Sequence, residues 1–160
     1  MKKLAVVSSI AFLINSIFID CSLGQIVDRR TFDDPHTIYD PRRFLFREND
    51  TRINLGNQEF LDSFISVYSP FLEKHPDLSL ELSSNSDSRE CNKEDTLLSY
   101  LRGLAVKNYL VQHGMDGSRL IIKSNGGMHP LAPEEIEGKD YPFGRACNRR
   151  VEFKIIKSNK

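Results

Sequence analysis

Two opposite charges lie on either side of a polar turn in the stretch SDSRECNKEDTLLSYLR, residues 86–102. Asp87 lies near the start of the turn, and Arg102 lies in the second turn of the predicted helix that follows. A carboxylate accepts hydrogen bonds from an ammonium group, and a guanidinium can hold a carboxylate through two parallel hydrogen bonds. The pair therefore suits a ligand that carries both charges, such as an α-amino acid group. The plainer alternative is a surface ion pair worth about 0–1 kcal/mol.

The pattern around this pair predicts strands that alternate with helices. The predicted strands cover 44–47, 78–83, 119–124 and 150–156, the predicted helices cover 58–75 and 95–113, and an irregular segment covers 125–146. The order β-α-β-α-β-(loop or short helix)-β predicts an α/β sandwich, with the helices packed on a mixed four-stranded sheet. Asp87 and Arg102 would then lie beyond the carboxyl end of a strand, where α/β folds commonly bind ligands.

Local signals set the expected ends of the two helices. Asn57 is the predicted N-cap of the first helix, and Asp95 is the predicted N-cap of the second. Gly114 is placed where a left-handed residue ends a helix. Pro70 should kink the first helix or end its regular part, because proline lacks an N–H group. The aromatic residues of this helix recur at helical spacing and are interpreted as core.

The first residues are interpreted as an export signal. Met1 to Lys3 are followed by an apolar run over 4–19, which is short for a membrane span of about 20 residues. We expect cleavage after Gly24, a polar arm over 25–43, a domain over 44–160 and no transmembrane span in the mature chain. Cys21 would allow lipidation, but bulky and charged residues precede it and argue against a lipoprotein signal.

Composition excludes some classes of function. The chain has 22 basic and 22 acidic residues and no basic tract, so we expect no nucleic-acid partner. The four histidines show no zinc-ligand spacing, and no base is placed beside a thiol, so we expect no metal, no cofactor and no catalysis. Cys91 and Cys147 are either a disulfide or two separate thiols.

Several motifs carry a family resemblance. DTLLSYLRGLAVKNYL at 95–110 is similar to the helix signature of the OmpA-like peptidoglycan-binding domain, and GRACNRRVEF at 144–153 resembles the end of that domain. HPDLSLELSSNSD at 75–87 is similar to its second strand and the turn after it. The resemblance spans about 44–156 and implies the same fold.

The resemblance also implies a function. Members of the family hold the meso-diaminopimelate of the peptidoglycan stem peptide, with an aspartate on the ammonium group and an arginine on the carboxylate. Carried over, these roles fall on Asp87 and Arg102, with Ser86, Asp95 and Arg149 as further contacts. The protein is then expected in the periplasm of a Gram-negative bacterium, associated with the cell wall or the outer membrane, with envelope proteins as further partners.

The turn departs from the family pattern. Ser84 and Asn85 stand where the family has glycine and histidine, Glu90 replaces a glycine, and Asp95 replaces an asparagine. These departures favour a second hypothesis, in which the domain keeps the fold as a scaffold or protein-interaction module but has lost or altered ligand binding.

Overall fold

The computed structural model describes residues 37–38, 44–90 and 96–158. The elements in chain order are β1 (Thr37–Ile38), β2 (Phe44–Leu45), α1 (Leu55–Lys74), β3 (Leu78–Asn85), α2 (Leu97–Gln112), β4 (Leu120–Gly126), β5 (Glu135–Ile136), β6 (Lys139–Asp140), α3 (Pro142–Asn148) and β7 (Arg150–Lys157). This order confirms the predicted α/β sandwich. A short 3₁₀ turn, Gly117–Arg119, leads into β4.

The main sheet is mixed, and β3 lies between β4 and β7. β3 runs parallel to β4 and antiparallel to β7. On its other side, β7 pairs with β1 and with β2 in turn. The sheet therefore has five strands instead of the predicted four, because β1, which falls in the predicted polar arm, adds a short strand.

The core lies between the helices and one face of this sheet. Alternation along β3 turns Leu80 and Leu82 into the core, while Glu81 is only partly buried. Phe153 of β7 contacts two rings of α1, with centroids 5.6 Å from Phe60 and 4.8 Å from Phe64. Burial of each such large side chain contributes about 1.5–3 kcal/mol. The aromatic residues of α1 thus belong to the core, except Phe71 at its exposed edge.

Both helices begin at different residues from those predicted. The N-cap of α1 is Asn54, whose side chain accepts a hydrogen bond from the Asn57 backbone N–H at 2.9 Å. Asn57 lies inside the helix and donates from its side chain to the Leu45 carbonyl. The N-cap position of α2 is Thr96, whose side chain makes no capping hydrogen bond.

The helix ends follow the prediction more closely. α1 continues past Pro70 to Lys74, so the proline does not end it. Gly114 follows α2 with a φ of +97°, the left-handed conformation expected of a glycine after a helix.

The segment 125–146, predicted as a loop or short helix, contains both irregular and regular parts. It contains the hairpin β5–β6 and most of α3, which begins with Pro142, a residue favoured at the first helical position. The short helix agrees with the prediction, whereas the hairpin was not predicted because its two-residue strands are too short to show a hydrophobic period. Within the described residues, no helix is both long enough and apolar enough to cross a membrane.

Candidate functional site

Arg102 is the centre of a buried ionic cluster at the end of β3. It lies on the inward face of α2, one and two turns before the core residues Val106 and Leu110. Its guanidinium meets the carboxylate of Glu90 edge to edge, with Nη1 2.6 Å from Oε2 and Nη2 2.7 Å from Oε1. The two side chains are 0% and 1% exposed. Arg102 is therefore held by a buried, bidentate ion pair within its own chain.

The remaining donors of Arg102 are also used. Nε donates to the Asp50 carbonyl at 3.0 Å, and Nη2 donates to the Arg47 carbonyl at 3.0 Å. Nη1 donates to the Ser86 hydroxyl at 3.3 Å. The guanidinium carbon lies 5.3 Å from the centroid of the Phe46 ring, a cation–π distance. All five N–H bonds of the group thus have acceptors.

Asp87 has a different arginine as its partner. Its Oδ2 accepts from Arg149 Nη1 at 2.6 Å, and its Oδ1 accepts from the backbone N–H groups of Arg89 and Glu90 at 2.9 and 3.0 Å. The carboxylate is fully buried. Asp87 therefore fixes the turn that carries Glu90, and the two ion pairs are joined through the Glu90 backbone.

The turn after β2 encloses both arginines. Its Arg47 and Asp50 carbonyls accept from Arg102, and the Asn49 backbone N–H donates to Glu90 Oε1 at 2.6 Å. Arg149 Nε donates to the Phe46 carbonyl at 3.1 Å. Asn49 has a φ of +50°, a left-handed conformation that asparagine tolerates better than most residues. The turn thus completes the cluster from a distant part of the chain.

The structure describes four of the five predicted site residues. Asp87, Ser86, Arg102 and Arg149 meet in this cluster. The surface ion pair between Asp87 and Arg102, the alternative considered from the sequence, is wrong, because both groups are buried and each pairs with another residue. Asp95 lies outside the described residues.

The predicted cysteine pair is only partly described. Cys147 is buried in α3, and Cys91 lies outside the described residues. Whether the two cysteines form a disulfide or remain separate thiols stays open, as it did from the sequence.

Glu90 is the residue of the cluster whose contacts the sequence did not predict. Its signal was a charged residue at a position where the family pattern has a glycine. A glycine there would leave the inner edge of Arg102 without a carboxylate from this chain. The substitution thus changes what Arg102 faces.

Further hydrogen bonds hold the hairpin β5–β6 beside the cluster. Glu134 accepts from the Ser88 backbone N–H and from Asn148 Nδ2, the latter at 2.7 Å. Asn148 Oδ1 accepts from the backbone N–H groups of Leu131 and Ala132 at 2.7 and 3.0 Å. These bonds tie the loop before β5 to α3 and to the turn that carries Asp87.

Asp140 adds an ionic contact between this hairpin and α3. Hydrogen bonding to Arg145, with a smaller contribution from Arg89, lowers the pKa of Asp140 below its ordinary value. The same contact raises the pKa of Arg145. Among the described residues, no three His, Cys, Asp or Glu side chains are grouped so that they could hold a metal ion.

The fold and the cluster define a class of protein: a mixed α/β domain with two arginine–carboxylate pairs just beyond the end of strand β3. The OmpA family matches residues 45–141. The chain belongs to the OmpA family, which confirms the resemblance indicated by its helix motif.

Individual relatives agree with this assignment. Outer membrane protein A of Bordetella avium is 37% identical over 76 residues, 48% of this chain and 37% of that protein's length. The C-terminal domain of Helicobacter pylori MotB has 21% identity and a TM-score of 0.58, over 72% of this chain and 84% of that chain. The peptidoglycan-associated lipoprotein of Burkholderia pseudomallei has 20% identity and a TM-score of 0.56, over 71% of this chain and 90% of that chain. At these identities the two structures show the shared fold.

Proposed function

We propose that this domain is a non-catalytic peptidoglycan-binding module that recognises the diaminopimelate of the stem peptide. The observation that carries the proposal is the buried cluster in which Asp87 and Arg102 lie on adjoining elements at the end of β3. Membership of the OmpA family supports it. So does the likeness to a structure whose name is peptidoglycan-associated lipoprotein.

The proposed roles follow the charges of the ligand. Arg102 would take the ligand carboxylate through two hydrogen bonds, as it now takes Glu90. Asp87 would accept from the ligand ammonium group, and Ser86 would offer its hydroxyl. Arg149 would position Asp87 through their ion pair. Asp95, which lies outside the described residues, remains a candidate ligand contact.

The proposed place of action is the cell envelope. We infer a periplasmic protein associated with the wall or the outer membrane of a Gram-negative bacterium, exported through residues 1–24 and carrying a polar arm over 25–43. Envelope proteins are further candidate partners. Support comes from the family and from the relative in Bordetella avium, whose name is outer membrane protein A.

A second function is favoured by the internal pairing of the charges. Arg102 is saturated by Glu90, and Asp87 is saturated by Arg149 and two backbone N–H groups. A scaffold or protein-interaction domain that no longer binds diaminopimelate would have this arrangement. The two functions differ in whether the domain binds peptidoglycan.

The deciding experiment is a binding assay with purified peptidoglycan and with meso-diaminopimelate. We expect the parent protein to bind, and Arg102→Lys to lose most of the affinity, because lysine cannot donate two parallel hydrogen bonds. Arg52→Ala is the matched control, since Arg52 is an arginine of the nearby turn with an 83% exposed side chain. If the parent protein is folded but binds neither probe, peptidoglycan binding is ruled out and the scaffold function remains. Circular dichroism on every variant separates lost binding from lost folding.

A further inference from the structure

We propose that Glu90 competes, from within the same chain, with external carboxylate ligands for the guanidinium of Arg102. The domain would then bind a free carboxylate only when that carboxylate displaces the Glu90 side chain. The inference rests on the proposed function, because it concerns the same arginine. It assigns Glu90 a role in setting the affinity of the site. No covalent step is involved.

The contacts of Glu90 are those of a bound carboxylate ligand. Its two oxygens take the two outer nitrogens of Arg102, and Oε1 also accepts from the Asn49 backbone N–H. Both the guanidinium edge and the backbone N–H point at one position, and they would serve any carboxylate placed there. We call this position, formed by Arg102 Nη1 and Nη2 and the Asn49 N–H, the carboxylate seat.

The main chain of Glu90 is held separately from its side chain. Its backbone N–H donates to Asp87 Oδ1 at 3.0 Å, which fixes the main chain independently of the side chain. The exchange requires only that the Glu90 side chain rotate away while its main chain stays in place. A second carboxylate can enter the same position once Glu90 has left.

A tethered competitor is expected to be strong. A group held on the same chain competes at an effective concentration of the order of millimolar or more, with no loss of translational freedom. The apparent dissociation constant of an external ligand equals its intrinsic value divided by the fraction of molecules whose seat is free. If Glu90 occupies the seat in nine molecules of ten, the ligand binds about tenfold more weakly than it would to an empty seat.

A purely structural ion pair is the rival explanation. Buried pairs are often retained without any ligand, and removal of one partner destabilises the fold because it strands the other charge. Both explanations predict that Glu90→Ala lowers the melting temperature. They differ in what restores it, since only a seat open to small molecules can be refilled from solution.

The first arm of the test uses acetate as the smallest carboxylate probe. Thermal melts of Glu90→Ala are compared in acetate and in chloride at about 0.1 M and equal ionic strength, where occupancy of a weak site should raise the melting temperature by about 3 °C or more. We expect this shift in Glu90→Ala and none in the parent. Glu152→Ala is the matched control, because Glu152 pairs with Arg150 away from the cluster. A folded Glu90→Ala that responds equally to acetate and chloride would overturn the inference.

The second arm measures binding to purified peptidoglycan by the parent, Glu90→Ala and Glu90→Gln. Glutamine keeps the length and one acceptor oxygen of Glu90 but not its charge, so it serves if the alanine variant does not fold. We expect affinity to rise about tenfold or more in the variants. Equal affinities, or weaker binding by the variants, would overturn the inference and leave the proposed function standing. If acetate stabilises Glu90→Ala but no protein binds peptidoglycan, the proposed function fails and Glu90 stands as the occupant of an anion seat.

Discussion

The carboxylate of Glu90 and the guanidinium of Arg102 form a two-point contact, at 2.6 and 2.7 Å, between side chains that are 1% and 0% exposed. They are twelve residues apart in sequence, and Asp87 holds the backbone N–H groups of Arg89 and Glu90 just before the first of them. A buried pair of this kind has a large cost of disruption even when its net contribution to stability is small. This distinction gives the first prediction.

Glu90→Ala and Arg102→Met should each destabilise the domain strongly, and the double variant should lose much less than their sum. The single change at Glu90 leaves a buried cation without its partner, which costs about 3–5 kcal/mol. The double change removes both charges, so the energy of interaction between the two sites should be about 2 kcal/mol or more. Urea denaturation of the four proteins measures this cycle. Additive losses would show that the two groups do not stabilise one another.

Asp87 makes two kinds of contact that a pair of substitutions can separate. Asp87→Asn keeps an oxygen for the Arg89 and Glu90 backbone N–H groups but places an amide against Arg149. Asp87→Ala removes both kinds of contact. We expect Asn to cost about 2 kcal/mol and Ala to cost more, because alanine also leaves two backbone donors without an acceptor. Equal losses in chemical denaturation would mean that the arginine pair alone matters and the turn contacts do not.

Much of the fold could be predicted from patterns that depend only on neighbouring residues. Alternation along 78–83 and 150–156 indicated β3 and β7, and the spacing of Val106 and Leu110 indicated the inward face of α2. Arg102 lies on that same face, so its burial could be derived from the helical period. Which asparagine caps α1 could not be derived in this way. Asn54 and Asn57 both suit the cap position, and tertiary contacts determine which one occupies it.

The environment of the site depends on contacts that no local pattern contains. The carbonyls of Arg47 and Asp50 that accept from Arg102 are 55 and 52 residues away in the chain. Arg149 reaches Asp87 across 62 residues. The sequence therefore identified the charged residues, while their partners emerged only when the turn after β2, the helix α2 and the end of α3 were placed together.

The glycine of the GRACNRR motif should be intolerant of any side chain. A Cβ at Gly144 would lie 1.8 Å from the Pro133 carbonyl oxygen, so α3 or the loop would have to move. We expect Gly144→Ala to destabilise the domain by about 2 kcal/mol or more, judged from the cost of overpacking. Thermal denaturation followed by circular dichroism measures the loss.

Gly56 provides the control for this change. It also lies in a helix, α1, but a Cβ there meets only the Asn54 side chain at 3.5 Å, an ordinary contact. Gly56→Ala should therefore be neutral or stabilise the protein by up to about 1 kcal/mol, since alanine favours the helix. A Gly144→Ala protein as stable as Gly56→Ala would contradict the close approach of α3 to Pro133.

Two buried serines should respond in opposite ways to alanine. Among the buried side-chain atoms of the described residues, Ser84 Oγ has no hydrogen-bond partner. Ser99 Oγ donates to the Thr96 carbonyl at 2.8 Å and accepts from the Gly126 N–H at 3.0 Å. Ser84→Ala should stabilise the domain by up to about 1 kcal/mol, and Ser99→Ala should destabilise it by about 1–3 kcal/mol. A loss of stability on Ser84→Ala would indicate that its hydroxyl has a partner after all.

The carboxyl group of Asp50 should titrate at unusually low pH. Hydrogen bonds from the Arg52 side chain and backbone lower the pKa of Asp50 from 3.8 to about 2. Because the pKa is lower in the folded than in the unfolded chain, the contact stabilises the fold fully above about pH 4. This contribution is lost as the pH falls from 3.8 through about 2. Carbon-13 NMR of the carboxyl group across this range measures the shift directly. Arg52→Gln should return the pKa of Asp50 most of the way towards 3.8, and an unchanged titration in that variant would show that Arg52 is not its cause.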